Sequence, residues 1–170
     1  MPKTKFQKVI FGLIMSYSMA YPMEVYNVAI KMGFNLSNGL GFSSMTNQVF
    51  LEALKEVWYM GLIVFAFSSL WGNKMGEKFA NKYCTENDNP YFYRIMRQAG
   101  TVAVMCPSMS LAASVIFNVI LGGSPVFQLP AIWVGTVIKN FPMAFFWNMF
   151  GATGFTRFVY GLIFKNKKDK

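Results

Sequence analysis

The sequence contains no histidine, and only seven of its 170 residues are aspartate or glutamate. A Ser-His-Asp triad, a Cys-His nucleophile pair and a zinc site built on histidine all need an imidazole, so these three kinds of catalytic centre are excluded. Carboxylates alone can carry acid–base chemistry, but no nucleophile or metal-ligand set accompanies them. We therefore predict that the protein is not an enzyme.

Cysteine is scarce as well, with only Cys84 and Cys106 present. The first falls in a polar segment and the second in an apolar one, so we expect no disulfide between them. The glycines between residues 33 and 41 follow no predicted strand and match neither dinucleotide-binding nor P-loop spacing. We expect neither a metal ion nor another cofactor.

Apolar residues are abundant: 54% of the chain is hydrophobic and 14% is charged. This composition is too apolar for an ordinary water-soluble domain. A helix needs roughly 20 mostly apolar residues to cross the hydrocarbon core of a bilayer, so a chain of this length has room for about four crossings. The sequence predicts an all-α membrane protein with a single four-helix domain over residues 1–170.

Four apolar segments can supply the transmembrane helices. They run from Val9 to Ile30, from Val49 to Gly72, from Ala99 to Leu121 and from Leu129 to about Phe155. A glycine- and serine-rich loop follows the first, a polar loop from Asn73 to Gln98 follows the second, and the turn at residues 122–125 follows the third. Although residues 18–20 imitate a signal-peptide cleavage site, the apolar segment continues past them, so we expect an uncleaved first helix.

The basic residues predict the orientation of these spans. Of 16 lysines and arginines, three precede the first span, five lie in the polar loop and five follow the fourth span. Cytoplasmic flanks of short-loop membrane proteins accumulate Lys and Arg. We predict that both termini and the polar loop are cytoplasmic, which also removes most of the argument for nucleic-acid binding.

The two halves of the chain resemble each other at an offset of about 85 residues. Met19, Met23 and Ile30 align with Met105, Met109 and Ile116, and Lys55 aligns with Lys139. Each half contributes two spans and starts in the cytoplasm, so residues about 1–80 and 91–165 would be parallel repeats about an axis along the membrane normal. Compositional similarity between hydrophobic helices is the alternative explanation.

Several short motifs resemble a family of small, uncharacterised bacterial membrane proteins built from a two-helix unit. They are residues 2–8, residues 19–27, residues 105–110 and residues 140–144. The second half matches the two-helix unit more closely, because the second span lacks the Phe-Pro pair found at Phe141-Pro142. The resemblance implies a tandem four-helix protein in the bacterial inner membrane, and it implies no activity.

Polar residues within the spans are the candidate functional site. Charged groups cost roughly 2.5 to 3.5 kcal/mol each at the centre of a bilayer, so they normally face the protein interior or water. The candidate pathway residues are Glu24, Asn27, Glu52, Lys55, Glu56, Ser110, Ser114, Lys139 and Asn140. The charged residues all fall in the outer half of the membrane, which indicates an outward-facing cavity rather than a through-pore.

Structural roles compete with this interpretation. Glu52 and Glu56 could lie in the headgroup region with Lys55 extended towards water. Glu24 and Lys139 could form a buried ion pair that only holds helices together. Likewise, Pro22, Pro107 and Pro142 are candidate hinges, but each could produce a static kink.

Two functions follow from these features. The first is a secondary transporter or exporter of an amphipathic or cationic solute, with Glu24 as the cation- or proton-responsive carboxylate and Lys139 as its counter-charge. The alternative is a non-transporting scaffold, assembly factor or envelope-stress protein that binds partner helices or lipids. We expect membrane lipid as a partner in either case, and a homo-oligomer, such as a dimer, to enclose a pathway.

Overall fold

The chain is built from α-helices. The computed structural model describes residues 4–34, 41–85 and 88–165, and these ranges contain no strand. Their α-helices are α1 (Lys5–Lys31), α2 (Gln48–Phe67), α3 (Asn73–Tyr83), α4 (Pro90–Ala113), α5 (Leu129–Phe146) and α6 (Thr153–Lys165). The π-helical segments Ser68–Gly72 and Trp147–Ala152 join α2 to α3 and α5 to α6, and a third, Ser114–Ile120, extends α4. The described residues therefore form four continuous helices, as the sequence predicts.

Local sequence determines where the first helix of each half begins. The hydroxyl of Thr4 accepts a hydrogen bond from the Gln7 backbone at 3.1 Å, and the Gln7 side chain accepts one from the Thr4 backbone at 3.2 Å. At α4, the Asn89 side chain accepts from the backbone of Tyr91 at 2.8 Å, and Pro90 is the first helical residue. Both arrangements use backbone donors that have no partner within the helix.

The segment from Asn73 to Gln98, predicted as a polar loop, is helical over most of its length. Helix α3 continues the second helix to Tyr83, and α4 already begins at Pro90. The prediction was wrong because it followed the polar composition of the segment and not its helical periodicity. Gly76 and Ala80, four residues apart, give α3 a narrow buried face, while its polar side chains occupy the exposed side.

A short turn joins α3 to α4, and residues 86–87 within it lie outside the described residues. The Asp88 carboxylate accepts hydrogen bonds from the Thr85 backbone at 2.6 Å and from the Thr85 hydroxyl at 3.0 Å. The backbone bond, followed by the hydroxyl bond, holds the pKa of Asp88 below its ordinary value. Desolvation and then the Asp88 charge raise the pKa of the Cys84 thiol.

The fourth helix is longer than predicted. It does not end near Phe155 but continues through α6 to Lys165. The turn before it agrees with the prediction, since Gly123 has a φ of +66°, a conformation that favours glycine.

Two helices are long and apolar enough to cross a membrane: Pro90–Ile120 and Val126–Phe164. They contain the third predicted span up to Ile120 and the whole of the fourth. Length and composition thus associate the described part of the chain with a membrane through its second half.

The chain divides into two compact units. Unit 1 comprises Met1–Phe65 and Ala152–Lys170, and unit 2 comprises Ala66–Gly151. The second helix and the fourth helix each contribute to both units.

In unit 1, α6 packs against the first half of α1. Phe11 contacts Tyr160 and Met15 contacts Thr156, while Ser18 contacts Ala152, which directly precedes α6. The numbering falls on α6 as it rises on α1, so the two helices are antiparallel.

The second half of α1 packs against α2, also within unit 1. A hydrophobic cluster joins them through Val28, Ala29, Val49 and Ala53. Towards the middle of α1, the Tyr17 hydroxyl donates to the Trp58 carbonyl at 2.9 Å, and the Tyr17 ring lies directly over Gly61.

In unit 2, α3 packs antiparallel against the first half of α4. The contacting pairs are Gly72 with Met105, Gly76 with Thr101, Phe79 with Gly100, Glu77 with Arg97, and Asn81 with Tyr93. The second half of α4 packs against α5, where the Trp133 indole donates to the Pro107 carbonyl at 2.9 Å.

Candidate functional site

Glu24 is the one charged side chain that is buried among the residues the structure describes, with 6% of its surface exposed. It lies on α1, two residues after Pro22 and one turn before Val28, which packs against α2. Burying a carboxylate is unfavourable unless neighbouring groups compensate for its lost hydration. Glu24 is therefore the strongest candidate for a functional carboxylate.

One group of α2, the phenol of Tyr59, lies within electrostatic range of Glu24. The Tyr59 phenol interacts electrostatically with the carboxylates of both Glu56 and Glu24. Glu56 and Tyr59 are three residues apart, so they share one side of α2. Two predicted site residues of unit 1, Glu24 and Glu56, thus lie within electrostatic range of one phenol, which the sequence analysis did not include in the site.

Glu52 and Lys55 form a separate, exposed ion pair. The Lys55 ammonium lies 2.6 Å from a Glu52 carboxylate oxygen, and the two side chains are 68% and 39% exposed, respectively. Exposed pairs of this kind contribute about 0 to 1 kcal/mol. The location of these two residues in the headgroup region stays a prediction. Asn27, one turn beyond Glu24 on α1, is half-buried.

Ser110 on α4 and Ser114, the first residue of the π-helical segment after α4, lie in unit 2 where the third helix packs with α5. Both are buried, and the Ser114 hydroxyl donates to the Thr136 hydroxyl at 3.4 Å. The Thr136 hydroxyl in turn donates to the Ile132 carbonyl at 2.7 Å. Small hydroxyl residues of this kind let two helices approach closely and hydrogen-bond across their interface.

Asn140 is also buried in unit 2, next to the half-buried Lys139 on α5. Its side-chain oxygen has no hydrogen-bond partner within the described residues. Buried polar atoms are almost always hydrogen-bonded, so an exception is a candidate for a functional role. Asn140 is accordingly the second candidate after Glu24.

The prolines do not interrupt their helices. Pro22, Pro107 and Pro142 all lie inside α-helical segments, and the backbone departs from α-helical geometry at the π-helical segments instead. π-Helical turns occur frequently at functional sites. The hinge role of the three prolines stays a prediction.

Some buried polar residues were missed by the sequence interpretation. They are Ser16, Ser18, Asn148 and Thr156. Thr156 was assigned to the end of the fourth span or beyond it, so its position gave no indication of burial. The position of Asn148 in an apolar segment was the only sequence feature that indicated its burial.

The candidate residues thus fall into two sets. Glu24, Asn27, Glu52, Lys55 and Glu56 belong to unit 1, and Ser110, Ser114, Lys139 and Asn140 belong to unit 2. The predicted pairing of Glu24 with Lys139 stays a prediction. Chemically, a buried carboxylate within electrostatic range of a phenol can bind a cation or exchange a proton.

Metal binding has no candidate among the residues described. No group of three or more His, Cys, Asp or Glu side chains that could hold a metal ion occurs there. Both cysteines are free thiols.

Comparison of the chain with protein-family models, with curated proteins and with solved structures finds no match.

Proposed function

We propose that the chain is a four-span membrane protein that transports an amphipathic or cationic solute, with Glu24 as the carboxylate that binds the cation or a proton. The observation that carries this proposal is the burial of Glu24, within electrostatic range of the Tyr59 phenol on α2, in a protein that exposes many large apolar side chains.

The distribution of side chains supports the membrane setting. The buried side chains include four serines, one threonine, two asparagines and Glu24, whereas large apolar residues are exposed on every α-helix. Trp58, Phe127, Ile138 and Phe150 are each more than 60% exposed. A water-soluble protein avoids such extensive apolar exposure, but lipid is a suitable solvent for it.

Two similarities between the halves support the tandem repeat. Pro22 and Pro107 each lie 17 residues after the first residue of their helices. The second helix of each half has a π-helical segment, which begins 20 residues into the helix in the first half and 18 residues into it in the second. These correspondences concern the backbone, so similar composition does not explain them.

Packing provides a third similarity. Each unit contains the whole first helix of one half, the beginning of that half's second helix and the end of the other half's second helix. Met15 contacts Thr156 in unit 1 as Thr101 contacts Gly76 in unit 2. This pattern aligns the second helices at an offset of 80 residues, so that Lys55 corresponds to Gly135 rather than to Lys139.

The proposed orientation has both termini and the α3–α4 turn in the cytoplasm, in the bacterial inner membrane. Cysteine labelling tests it with native Cys84 as the inner reporter in a Cys106→Ser background, and Ser43→Cys as the outer reporter in a background without either native cysteine. A membrane-impermeant maleimide added to intact cells should modify position 43 and spare Cys84 until the cells are permeabilised. The reverse pattern would overturn the orientation.

Transport is tested with purified protein reconstituted into phosphatidylcholine vesicles. The vesicles are loaded with ethidium, an amphipathic cation, and a pH gradient is imposed across their membrane. We expect the wild type to move ethidium and Glu24→Gln to lose most of this activity, because the amide has a similar shape but no charge. Glu77→Gln is the matched control, since Glu77 lies on exposed α3. Equal rates for the wild type, Glu24→Gln and empty vesicles would contradict the proposal.

A non-transporting scaffold is the second candidate, and the surface of the fourth helix favours it. Exposed apolar residues recur there every four positions at Val134, Ile138, Pro142, Phe146 and Phe150. Such a row suits a partner helix as well as lipid. A stoichiometric second protein retained through native purification, together with no ethidium movement, would favour this candidate.

A further inference from the structure

Three lysines, Lys74, Lys78 and Lys82, form a row on the exposed side of α3. They are four residues apart, so successive lysines are separated by about 6 Å along the helix axis. Gly76 and Ala80 are buried against α4, and each lies two residues from a lysine. Two residues correspond to about 200° of helical rotation, so the lysine row faces away from α4.

The charge of this row is not neutralised by the acidic residues described in unit 2. Glu77 lies 3.7 Å from Arg97 on α4, and Asp88 accepts its hydrogen bonds from Thr85. The Lys82 ammonium lies 5.5 Å from the centre of the Tyr83 ring, a contact that leaves its charge in place. The row therefore presents three positive charges to its surroundings.

The position of the row indicates what surrounds it. The apolar part of the second helix ends at Gly72, and Lys74 lies two residues beyond it. Near the α3–α4 turn, Tyr83, Tyr91 and Phe92 are exposed. Lysines combined with exposed aromatic rings are typical of protein surfaces that meet the headgroups and outer acyl region of a bilayer.

We infer that Lys74, Lys78 and Lys82 bind the phosphate groups of anionic phospholipids in the cytoplasmic leaflet. The inference rests on the proposed membrane setting and orientation. Each phosphodiester carries one negative charge, and lysine is a point-charge donor suited to it. An acidic protein would also attract the lysines, but it would require neither the adjacent apolar segment nor the exposed aromatic residues.

Native mass spectrometry of the full chain in dodecyl maltoside tests this inference, with titration by phosphatidylglycerol or phosphatidylcholine. We expect the wild type to prefer phosphatidylglycerol and the preference to weaken with added salt. Basic residues near an anionic surface contribute about 1 kcal/mol each, or roughly fivefold in affinity. The triple variant K74Q/K78Q/K82Q should therefore bind phosphatidylglycerol about a hundredfold more weakly.

Two control variants distinguish the row from net charge. K5Q/K8Q/R157Q removes three positive charges elsewhere and should retain most of the preference, whereas K74R/K78R/K82R retains the charges and should bind like the wild type. Glycerol phosphate, the soluble headgroup, should compete only weakly, because it lacks the acyl chains that hold a lipid beside the aromatic rings.

Equal binding of the two lipids, or equal losses in both neutralised variants, would overturn the inference. Tighter binding of a polyglutamate peptide than of phosphatidylglycerol would replace the lipid with an acidic protein partner. Ethidium movement in phosphatidylcholine without any lipid preference would overturn only this inference. A preference for phosphatidylglycerol without ethidium movement would overturn only the transport proposal.

Discussion

At the scale of single residues, Asn140 combines burial with an unsatisfied hydrogen-bond acceptor. Only 6% of its surface is exposed, and its side-chain oxygen has no hydrogen-bond partner in the described residues. A buried polar group without a partner costs about 1 to 3 kcal/mol of stability. A residue that is present despite this loss of stability contributes something other than packing, such as a ligand contact.

Replacing this amide with a similar apolar side chain should stabilise the protein. We expect Asn140→Leu to raise the free energy of unfolding by about 1 kcal/mol, because the unsatisfied oxygen is removed. Thermal unfolding of the purified protein in detergent measures the effect, and the ethidium assay should show reduced transport.

Thr136→Val is the matched control on the same helix. The Thr136 hydroxyl donates to the Ile132 carbonyl at 2.7 Å. We therefore expect Thr136→Val to lower the free energy of unfolding by about 0.5 to 1.5 kcal/mol. If Asn140→Leu destabilised the protein to the same extent, the Asn140 amide would have a hydrogen-bond partner in the folded state. The inference that Asn140 lowers stability would then be wrong.

At the scale of helices, the approach of α3 to α4 depends on Gly76. A Cβ atom at this position would lie 2.7 Å from the Arg97 carbonyl oxygen and would also collide with the Thr101 side chain. The obstacle is partly backbone, so rotation of a side chain cannot remove it. The two helices would have to move apart.

Alanine substitutions at two helical glycines should therefore have opposite effects. We expect Gly76→Ala to cost about 1 to 3 kcal/mol, the usual range for overpacking. Gly135→Ala, where an added Cβ meets nothing within 4 Å, should gain about 0.5 to 1 kcal/mol from helix propensity. Thermal unfolding of both variants measures the difference, and equal shifts would show that α3 does not pack on α4 this closely.

The sequence predicts the helices that carry a strong local signal. The four apolar segments lie within the observed helices except for Leu121, which follows the third helix, whereas the helix starts at Thr4 and at Asn89 were not predicted. Helix α3 was missed because its buried face consists of Gly76 and Ala80, which contribute little to hydropathy. Its helical period was visible only in the spacing of small residues.

The candidate site was predictable where charge interrupts an apolar segment. Glu24 and Asn140 both lie in such segments, and their burial follows from these positions. Packing between residues distant in the sequence, such as Met15 with Thr156, has no local signal because the two lie more than a hundred residues apart. The division into two units was unpredictable for the same reason.

At the scale of the whole molecule, the two halves of the chain depend on each other. The α1–α6 contacts of unit 1 and the α3–α4 contacts of unit 2 all join a residue before the α3–α4 turn to one after it. Neither half contains a complete unit by itself.

Residues 1–86 and 87–170, expressed together as separate chains, should therefore associate. We expect affinity purification of a tagged first half to recover the second half in equal amounts, and either half expressed alone to be degraded. Gly76→Ala in the first half should reduce the recovery, whereas Gly135→Ala in the second should not. Stable accumulation of a single half would contradict this mutual dependence.

The short turn between α3 and α4 consequently does more than connect two helices. A covalent link between two mutually dependent halves replaces their encounter as separate chains with a high effective concentration. With the link intact, dilution of the protein in lipid cannot separate the halves. Cleavage near Thr85 would make folding depend on the density of both fragments in the bilayer.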